Sequence, residues 1–264
     1  MNVEYKSIQF DIRDSVACIT LNRPEAANSI NLEMSTDLMR AAIQCSEDPA
    51  IRAVVITGAG RMFCSGGDLK EFAAQGEHLP YHFKEVTAYL HAAISRLTRM
   101  NPPVVAAVNG AAAGAGMSLA CACDIVVATE GARFTMGYTR AGLSPDGSST
   151  YFLPRIVGLR RALELTLTNR VLSAQEALQW GIVTQVVPDA EVLARAQSIA
   201  LQLAAGPTKA LGASKRLLHS GSTETLETQM EYESQTIATI AHTTDTSEGI
   251  VAFLEKRTAR YKGQ

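Results

Sequence analysis

The sequence predicts an α/β core followed by a helical C-terminal region. Apolar, β-rich runs alternate with segments of helical periodicity before Ser148, and the pattern is helical after it. Gly and Pro residues mark most of the junctions between these segments. A chain of 264 residues, 47% hydrophobic and 19% charged, is long enough to bury one large core or two modest ones.

Six apolar segments predict strands. The first, residues 16–22, stops at Arg23-Pro24, and the second, 54–58, ends in a glycine. The other four are expected at 104–108, 124–129, 133–136 and 183–187. Their β-branched and small apolar residues are typical of strands buried within a sheet.

Helical periodicity predicts the segments between and after these strands. Asn31 precedes an amphipathic stretch, and residues 84–99 predict a second helix that Pro102-Pro103 ends. Residues 73–82 are polar and contain glycine and proline, which predicts a mobile loop. Ser173 and Glu176 form a capping box for a helix that Gly181 closes. Further helices are expected over 159–168, 189–205, 208–219, 222–241 and 246–257.

Composition argues against several classes of protein. A formal net charge of −2 gives no electrostatic footprint for nucleic acid. We expect no membrane association, because no apolar run approaches the ~20 residues of a membrane helix and the first residues lack the apolar core of a signal peptide. The five cysteines include no C-x-x-C pair, and Cys121 and Cys123 are expected to be buried core thiols rather than metal ligands. A reducing cytoplasm is the expected location.

Two glycine-rich turns are the candidate functional segments. Residues 63–71 (FCSGGDLKE) and 109–118 (NGAAAGAGMS) each follow an apolar strand and open into a helix. Backbone N–H groups at such helix starts have no intrahelical partner, so two of these turns together offer two donors to an oxyanion. Asp146 is the single acid in the turn 143–149 (LSPDGSS), which indicates chemistry next to a carbonyl.

An ordered set of motifs resembles the crotonase superfamily, the enoyl-CoA hydratases and isomerases. The motifs are NRPEAANSI (22–30), VVITGAGRMFCSGGDLKE (54–71), PPVVAAVNGAAAGAGMSLACACDIVVA (102–128), SAQEALQWGIVTQVV (173–187) and FLEKR (253–257). The resemblance implies a spiral of ββα repeats over residues 1–200 that binds acyl-CoA. It further implies a helical region over residues 201–264 that packs homotrimers or dimers of trimers.

The same resemblance assigns roles to individual residues. The backbone N–H groups of Gly67 and Ala115 would hold the thioester oxygen of an acyl-CoA substrate, with no metal and no other cofactor. Coenzyme A would lie along two segments, with Phe253 and Lys256 reaching a coenzyme bound to a neighbouring subunit. Those two segments supply Arg23, Ala26, Ala27, Ser65, Asp68 and Leu69. A solvated basic helix end is the alternative for EKRTARYK, residues 255–262.

The sequence also departs from the hydratases of this family. Hydratases carry two glutamates, at positions that correspond here to Ser118 and Tyr138. Neither side chain is a good base near neutral pH, so hydration with two carboxylates is in doubt. Asp146 resembles the aspartate of the double-bond isomerases, including those of ring-containing acyl-CoAs, and that of the 4-chlorobenzoyl-CoA dehalogenases. The alternative role for Asp146 is to cap the helix that follows it.

Histidines leave some alternatives open. His91 lies where the dehalogenases carry a water-activating histidine, although a lone helical histidine is more often structural. Residues His78 and His82 have metal-ligand spacing, but lie in the expected loop that would cover the acyl pocket. The leading prediction is an isomerase with Asp146 as proton shuttle and Tyr138 beside it. The alternatives are a hydratase, an aryl-CoA dehalogenase or hydrolase, and a catalytically weak acyl-CoA-binding protein.

Overall fold

The computed structural model describes residues 4–264, which form two β-sheets and eleven α-helices. The strands are β1 (Ile8–Arg13), β2 (Val16–Leu21), β3 (Ala53–Gly58), β4 (Val104–Val108), β5 (Ala111–Ala113), β6 (Ile125–Thr129), β7 (Arg133–Thr135), β8 (Leu172–Ser173) and β9 (Gln185–Val187). The helices are α1 (Leu32–Glu47), α2 (Leu69–Ala73), α3 (Leu79–Arg99), α4 (Ala115–Cys121), α5 (Ser149–Val157), α6 (Leu159–Thr168), α7 (Ala174–Gln179), α8 (Val192–Ala204), α9 (Thr208–Ser220), α10 (Leu226–Ile240) and α11 (Thr244–Leu254).

The larger sheet has the strand order β1-β2-β3-β4-β6-β9. The edge strand β1 is antiparallel to β2, and every other neighbouring pair in this sheet is parallel. Parallel neighbours need crossover connections, and α1, α3 and α4 supply three of them. The strands therefore end at one edge of the sheet, where the two glycine turns begin.

Side chains from alternate positions of these strands enter two separate cores. Val55, Val105 and Val127 face α8, which contributes Ala196 and Ala200 to the same cluster. The intervening positions, such as Ile56 and Ala106, face the larger cluster that includes α1 and α3. Because successive residues of a strand point to opposite faces, the apolar runs in the sequence fill both cores at once.

The smaller sheet joins β5 and β7 in parallel and β7 and β8 antiparallel. All six predicted strands are present, although the last is shorter than expected. Sequence patterns missed β1, β5 and β8, which are edge or very short strands. A helix after Asp146 was expected without an end point, and α5 is that helix; its start follows a turn with Gly147 and Ser148 at positive φ.

The predicted loop at residues 73–82 is wrong in its second half. A 3₁₀ turn spans Gly76–His78 and α3 begins at Leu79, with Pro80 in its first turn. Proline is compatible with this position because the first N–H groups of a helix have no intrahelical partner. The loop prediction treated Pro80 as a breaker, whereas here it initiates a helix.

The C-terminal helices carry little of the core. No residue of α10 is buried within the described part of the chain, and α11 buries Asp245 and Ala252. The expected division at residue 200 falls inside α8, which ends at Ala204. Large apolar side chains on α10 and α11 are exposed: Leu226, Met230, Tyr232, Ile237, Ile250, Val251, Phe253 and Leu254.

Across residues 4–264, none of the helices combines the length and the apolar character needed to cross a membrane. The five cysteines are all free thiols. Burial raises the pKa of the Cys64 and Cys121 thiols to about 12, so both are protonated and unreactive near neutral pH.

Candidate active site

A short β-bridge brings the two glycine-rich turns together. Cys64 pairs with Ala112 in parallel orientation. The Cys64 N–H donates to the Ala111 carbonyl at 3.1 Å, and the Ala113 N–H donates to the Cys64 carbonyl at 2.9 Å. The segments that lead into both turns therefore run side by side.

Glycine is required where the turns touch. A Cβ on Gly66 would lie 3.0 Å from the Ala113 carbonyl oxygen and 3.4 Å from the Gly114 Cα. Both glycines also have positive φ, +103° at Gly66 and +50° at Gly114. A larger residue would separate the turns and strain the backbone.

The bridge between Ile30 and Gly67 determines where the Gly67 N–H points. The Ile30 N–H donates to the Gly66 carbonyl at 2.7 Å, and the Asp68 N–H donates to the Ile30 carbonyl at 3.0 Å. Since the polar groups of successive residues in an extended segment point to opposite sides, the Gly67 N–H faces away from Ile30. It makes no hydrogen bond to any other residue between 4 and 264.

Ala115 supplies a second N–H of the same kind. It is the first residue of α4, where an N–H has no intrahelical acceptor, and it too donates to no described residue. Ala115 and Gly67 line one cavity of about 280 Å³. The two predicted donor residues therefore line the same cavity, and each has a backbone N–H group with no described partner.

Asp146 lies in the wall of the same cavity and is held by Tyr138. The Tyr138 hydroxyl donates to Asp146 Oδ1 at 2.6 Å and lies 3.0 Å from Ser118 Oγ. Burial and the negative charge of Asp146 raise the pKa of Tyr138, so the phenol stays protonated and acts as a donor. Ser118 and Tyr138, at the positions expected for the hydratase glutamates, therefore meet beside a different carboxylate.

The carboxylate of Asp146 does not cap α5. The cap position is held by Ser148, with no side-chain capping bond. It is the backbone carbonyl of Asp146 that accepts the Ser149 N–H at 3.1 Å and the Ser149 hydroxyl at 2.9 Å. The side chain is thus left to face the cavity.

His91 contacts the turn that carries Asp146. Its Nε2 accepts a hydrogen bond from the Gly147 N–H at 3.2 Å. His91 projects from α3 and is exposed, and it does not line the cavity. In this arrangement it supports the turn from outside.

A family model described as enoyl-CoA hydratase/isomerase matches residues 11–264. The chain belongs to this family. It is 39% identical to the 1,2-epoxyphenylacetyl-CoA isomerase of Escherichia coli (strain K12), over 96% of this chain and 97% of the relative. It is also 39% identical to the 4-chlorobenzoyl coenzyme A dehalogenase-2 of an Arthrobacter species, over 89% of this chain and 86% of the relative.

Solved structures of the enoyl-CoA hydratase/isomerase family share the fold. The crystal structure of an enoyl-CoA hydratase from Polaromonas sp. JS666 has a TM-score of 0.92 and 37% identity, over 96% of this chain and 99% of that chain. The predicted crotonase fold is therefore confirmed. Proteins similar to this chain are named isomerase, dehalogenase and hydratase, so membership of the family alone does not select the reaction.

The residues expected to bind coenzyme A fall into three groups in this family member. Ser65 and Leu69 line the cavity beside Gly67. Arg23 forms an ion pair with Asp68, with 2.8 Å between Nη2 and Oδ2, and neither lines the cavity. Ala26 and Ala27 lie in the 3₁₀ turn that follows Arg23 and at its end.

Phe253 and Lys256 lie far along the chain from this cavity and do not line it. Phe253 is 82% exposed near the end of α11, and Lys256 follows that helix with a φ of +55°.

Much of the cavity wall comes from residues that sequence reasoning did not single out. The lining residues include Leu143, Phe72 of α2, and Phe83, Val86, Thr87 and Leu90 of α3. The rings of Phe72 and Phe83 pack edge to face, with 4.7 Å between centroids. Helical spacing across residues 83–90 was the available signal, but it predicts one apolar face without saying what that face covers.

The histidines near α3 do not form a metal cluster. His82 is buried, with Nε2 3.0 Å from Glu71 Oε1, whereas His78 is exposed. No group of three or more histidine, cysteine, aspartate or glutamate side chains within residues 4–264 is arranged to hold a metal ion.

Proposed function

We propose that this protein is an acyl-CoA isomerase that moves a double bond, or rearranges a cyclic acyl group, through a thioester enolate. One observation carries the proposal. A single carboxylate, Asp146, lines the same cavity as Gly67 and Ala115, whose N–H groups have no described partner. The resemblance places Ser118 and Tyr138, which bond to one another here, where hydratases carry glutamates. That set offers one base and one oxyanion site, which are sufficient for a double-bond shift. It lacks the second carboxylate that hydration is expected to use.

The proposed reaction uses Asp146 twice. With a 3-enoyl thioester, the carboxylate takes a proton from C2, and the electrons of that C–H bond move into the thioester carbonyl. The N–H groups of Gly67 and Ala115 stabilise the resulting oxygen charge. Asp146 then returns the proton to C4 and the 2-enoyl thioester forms. The thioester itself acidifies C2, so no metal or redox cofactor is required.

Tyr138 is the proposed orienting partner of Asp146. Its hydroxyl, held by Asp146 Oδ1 and Ser118 Oγ, fixes one carboxylate oxygen. The other oxygen, Oδ2, accepts no hydrogen bond from a described side chain or backbone group. Oδ2 is therefore the proposed base.

The cavity wall supports a ring-containing acyl group as substrate. Phe72 and Phe83 present aromatic faces and edges beside the oxyanion turn, and aromatic pairs favour such edge-to-face packing. The Escherichia coli relative is named for a phenylacetyl derivative, and it covers this chain almost completely. Both observations favour a compact ring over a long straight chain.

Coenzyme A is proposed to run from this cavity past Ser65 and Leu69 towards Ala26 and Ala27. The exposed apolar faces of α10 and α11 are proposed to pack against further copies of the chain, as homotrimers or dimers of trimers. Phe253 and Lys256 would then reach a neighbour's coenzyme. The free thiols and lack of disulfides agree with a cytoplasmic location.

The experiment is a thioester assay in D2O with 3-enoyl-CoA and 2-enoyl-CoA substrates, followed by mass spectrometry. Conversion of the 3-enoyl to the 2-enoyl thioester without addition of water supports the isomerase. Addition of water to the 2-enoyl substrate would mean that hydration proceeds without two glutamates. Binding without conversion of these or of ring-containing thioesters would indicate an acyl-CoA-binding protein.

Aryl-CoA dehalogenation is the second candidate. It is favoured by the single carboxylate that lines the cavity, Asp146, together with the Arthrobacter relative. In that reaction Asp146 would attack the ring carbon, chloride would leave, and water would hydrolyse the aryl ester. Release of chloride from 4-chlorobenzoyl-CoA tests it directly, with Asp146→Asn as the control.

A further inference from the structure

An ion pair lies directly behind the Gly67 donor. Asp68 follows Gly67 in the chain, and its Oδ2 accepts a hydrogen bond from Arg23 Nη2 at 2.8 Å. The Arg23 side chain is 19% exposed and that of Asp68 is 11% exposed. Separating two largely buried charges would leave each without its partner at a cost in free energy. The two side chains are therefore expected to stay paired.

Asp68 is held from two further directions. Its Oδ1 accepts the N–H groups of Lys70 and Glu71, both at 3.1 Å, and so caps α2. Burial alone would raise the pKa of Asp68, but hydrogen bonds from Arg23 and from the Glu71 N–H outweigh burial and lower it. The carboxylate is therefore charged at neutral pH.

Arg23 also contacts the other segment of the β-bridge between Ile30 and Gly67. Its Nη1 donates to the Ser29 carbonyl at 2.6 Å, and its backbone N–H donates to Asn28 Oδ1 at 2.9 Å. Ser29 precedes Ile30, whose N–H and carbonyl bond to the residues on either side of Gly67. One guanidinium thus connects the two segments whose pairing orients the Gly67 N–H.

We propose that Arg23 and Asp68 are positioning residues for the Gly67 oxyanion donor, not ligands of coenzyme A. The proposal rests on the proposed role of Gly67 in the reaction. Because Asp68 neutralises Arg23 at 2.8 Å, the pair has nearly no net charge to offer a phosphate. Removing the pair should therefore impair the carbonyl-polarising step while leaving coenzyme binding intact.

Kinetics separate the two roles. Arg23→Gln is expected to lower kcat at least about tenfold while KM stays within about threefold, because a displaced oxyanion donor costs up to about 10²–10³ in kcat. Arg23→Lys should restore part of kcat, since it keeps the charge opposite Asp68 but loses the two-pronged geometry. Arg13→Gln, on the exposed edge strand β1, is the control for loss of one positive charge. Thermal unfolding verifies that each variant is folded at the assay temperature.

Infrared spectroscopy supplies a readout that does not depend on turnover. The probe is phenylacetyl-CoA labelled with ¹³C at the thioester carbonyl, whose stretching frequency should fall on binding to the wild type. Arg23→Gln should bind the probe with similar affinity but lose most of this shift, and Arg23→Lys should keep an intermediate shift.

Each opposing result has a separate meaning. A full carbonyl shift in Arg23→Gln overturns the positioning role while leaving Gly67 as the donor. A tenfold rise in KM that disappears with the 3′-dephospho-CoA thioester would instead make Arg23 a phosphate ligand. Absence of a carbonyl shift in the wild type overturns the assignment of Gly67 and, with it, this inference.

Discussion

Asp146→Asn is the decisive perturbation of the proposed mechanism because it removes the base and little else. Asn has nearly the same shape, and its Oδ1 can still accept the Tyr138 hydroxyl, now 2.6 Å from the carboxylate. The backbone carbonyl of residue 146 still accepts the Ser149 N–H and hydroxyl. The cavity and its two N–H donors should therefore persist.

The size of the effect follows from these contacts. General acid–base catalysis contributes about 10²–10⁴ in rate, so kcat should fall by that factor, equivalent to about 3–5 kcal/mol of barrier. Exchanging a charge-assisted for a neutral hydrogen bond costs about 1 kcal/mol of folding free energy. The dissociation constant for a saturated acyl-CoA should change by less than about threefold.

The assay pairs single-turnover isomerisation with calorimetric binding of the saturated thioester. Asp48→Asn is the matched control, because the Asp48 carboxylate at the exposed end of α1 also accepts a single hydrogen bond, from the Ala50 N–H at 2.9 Å. If kcat of Asp146→Asn stays within about threefold of the wild type, Asp146 is not the proton shuttle. A tenfold loss of binding would instead contradict the argument that Asn preserves the cavity.

Three further predictions follow from individual contacts. Tyr138→Phe should lower kcat about tenfold, because it frees the Asp146 carboxylate to rotate. Because the pKa of Tyr138 is raised, kcat of the wild type measured from pH 7 to 10 should show no loss from ionisation of the phenol. Ser173→Ala should lower the free energy of unfolding in urea by about 0.5–2 kcal/mol with unchanged kcat, since it removes the cap of α7; an unchanged urea midpoint would contradict the cap's contribution. Hydrogen bonds from Arg257 and from the Arg260 N–H lower the pKa of Glu248 from 4.5 to about 2, so its stabilising contribution is present above pH 4.5 and lost as the pH falls towards 2. Urea midpoints of Glu248→Gln should consequently fall less steeply than those of the wild type over that range.

Local patterns predicted the parts of the fold that depend on local rules. The strands at 54–58 and 104–108 are buried apolar runs, and the capping box at Ser173 and Glu176 forms as expected. Edge strand β1 was missed because four of its six residues are exposed and its composition is mixed. Pro80 misled the loop prediction because a proline breaks a helix interior but is accepted in a first turn.

Some features of the candidate site were also predicted from the sequence, and others depend on tertiary packing. The resemblance to the crotonase superfamily named Gly67 and Ala115, whereas the local pattern predicts only that a glycine turn opening a helix frees backbone N–H groups. The sequence left two roles open for Asp146, and the structure shows its carbonyl at the start of α5 and its carboxylate on Tyr138. The aromatic wall of Phe72 and Phe83 was not anticipated, because it depends on how α2 and α3 pack over the turn.

By itself, the sequence determined the α/β class, the two donor turns, the lone carboxylate and the absence of glutamates at positions 118 and 138. Each of these depends on residue identity or on neighbours within a few positions in the chain. Only the tertiary structure decided that the Tyr138 hydroxyl bonds to Asp146, that Arg23 pairs with Asp68, and that α2 and α3 line the cavity. These contacts join residues from separate elements, and their distances are set by the packing of the whole core rather than by local preference.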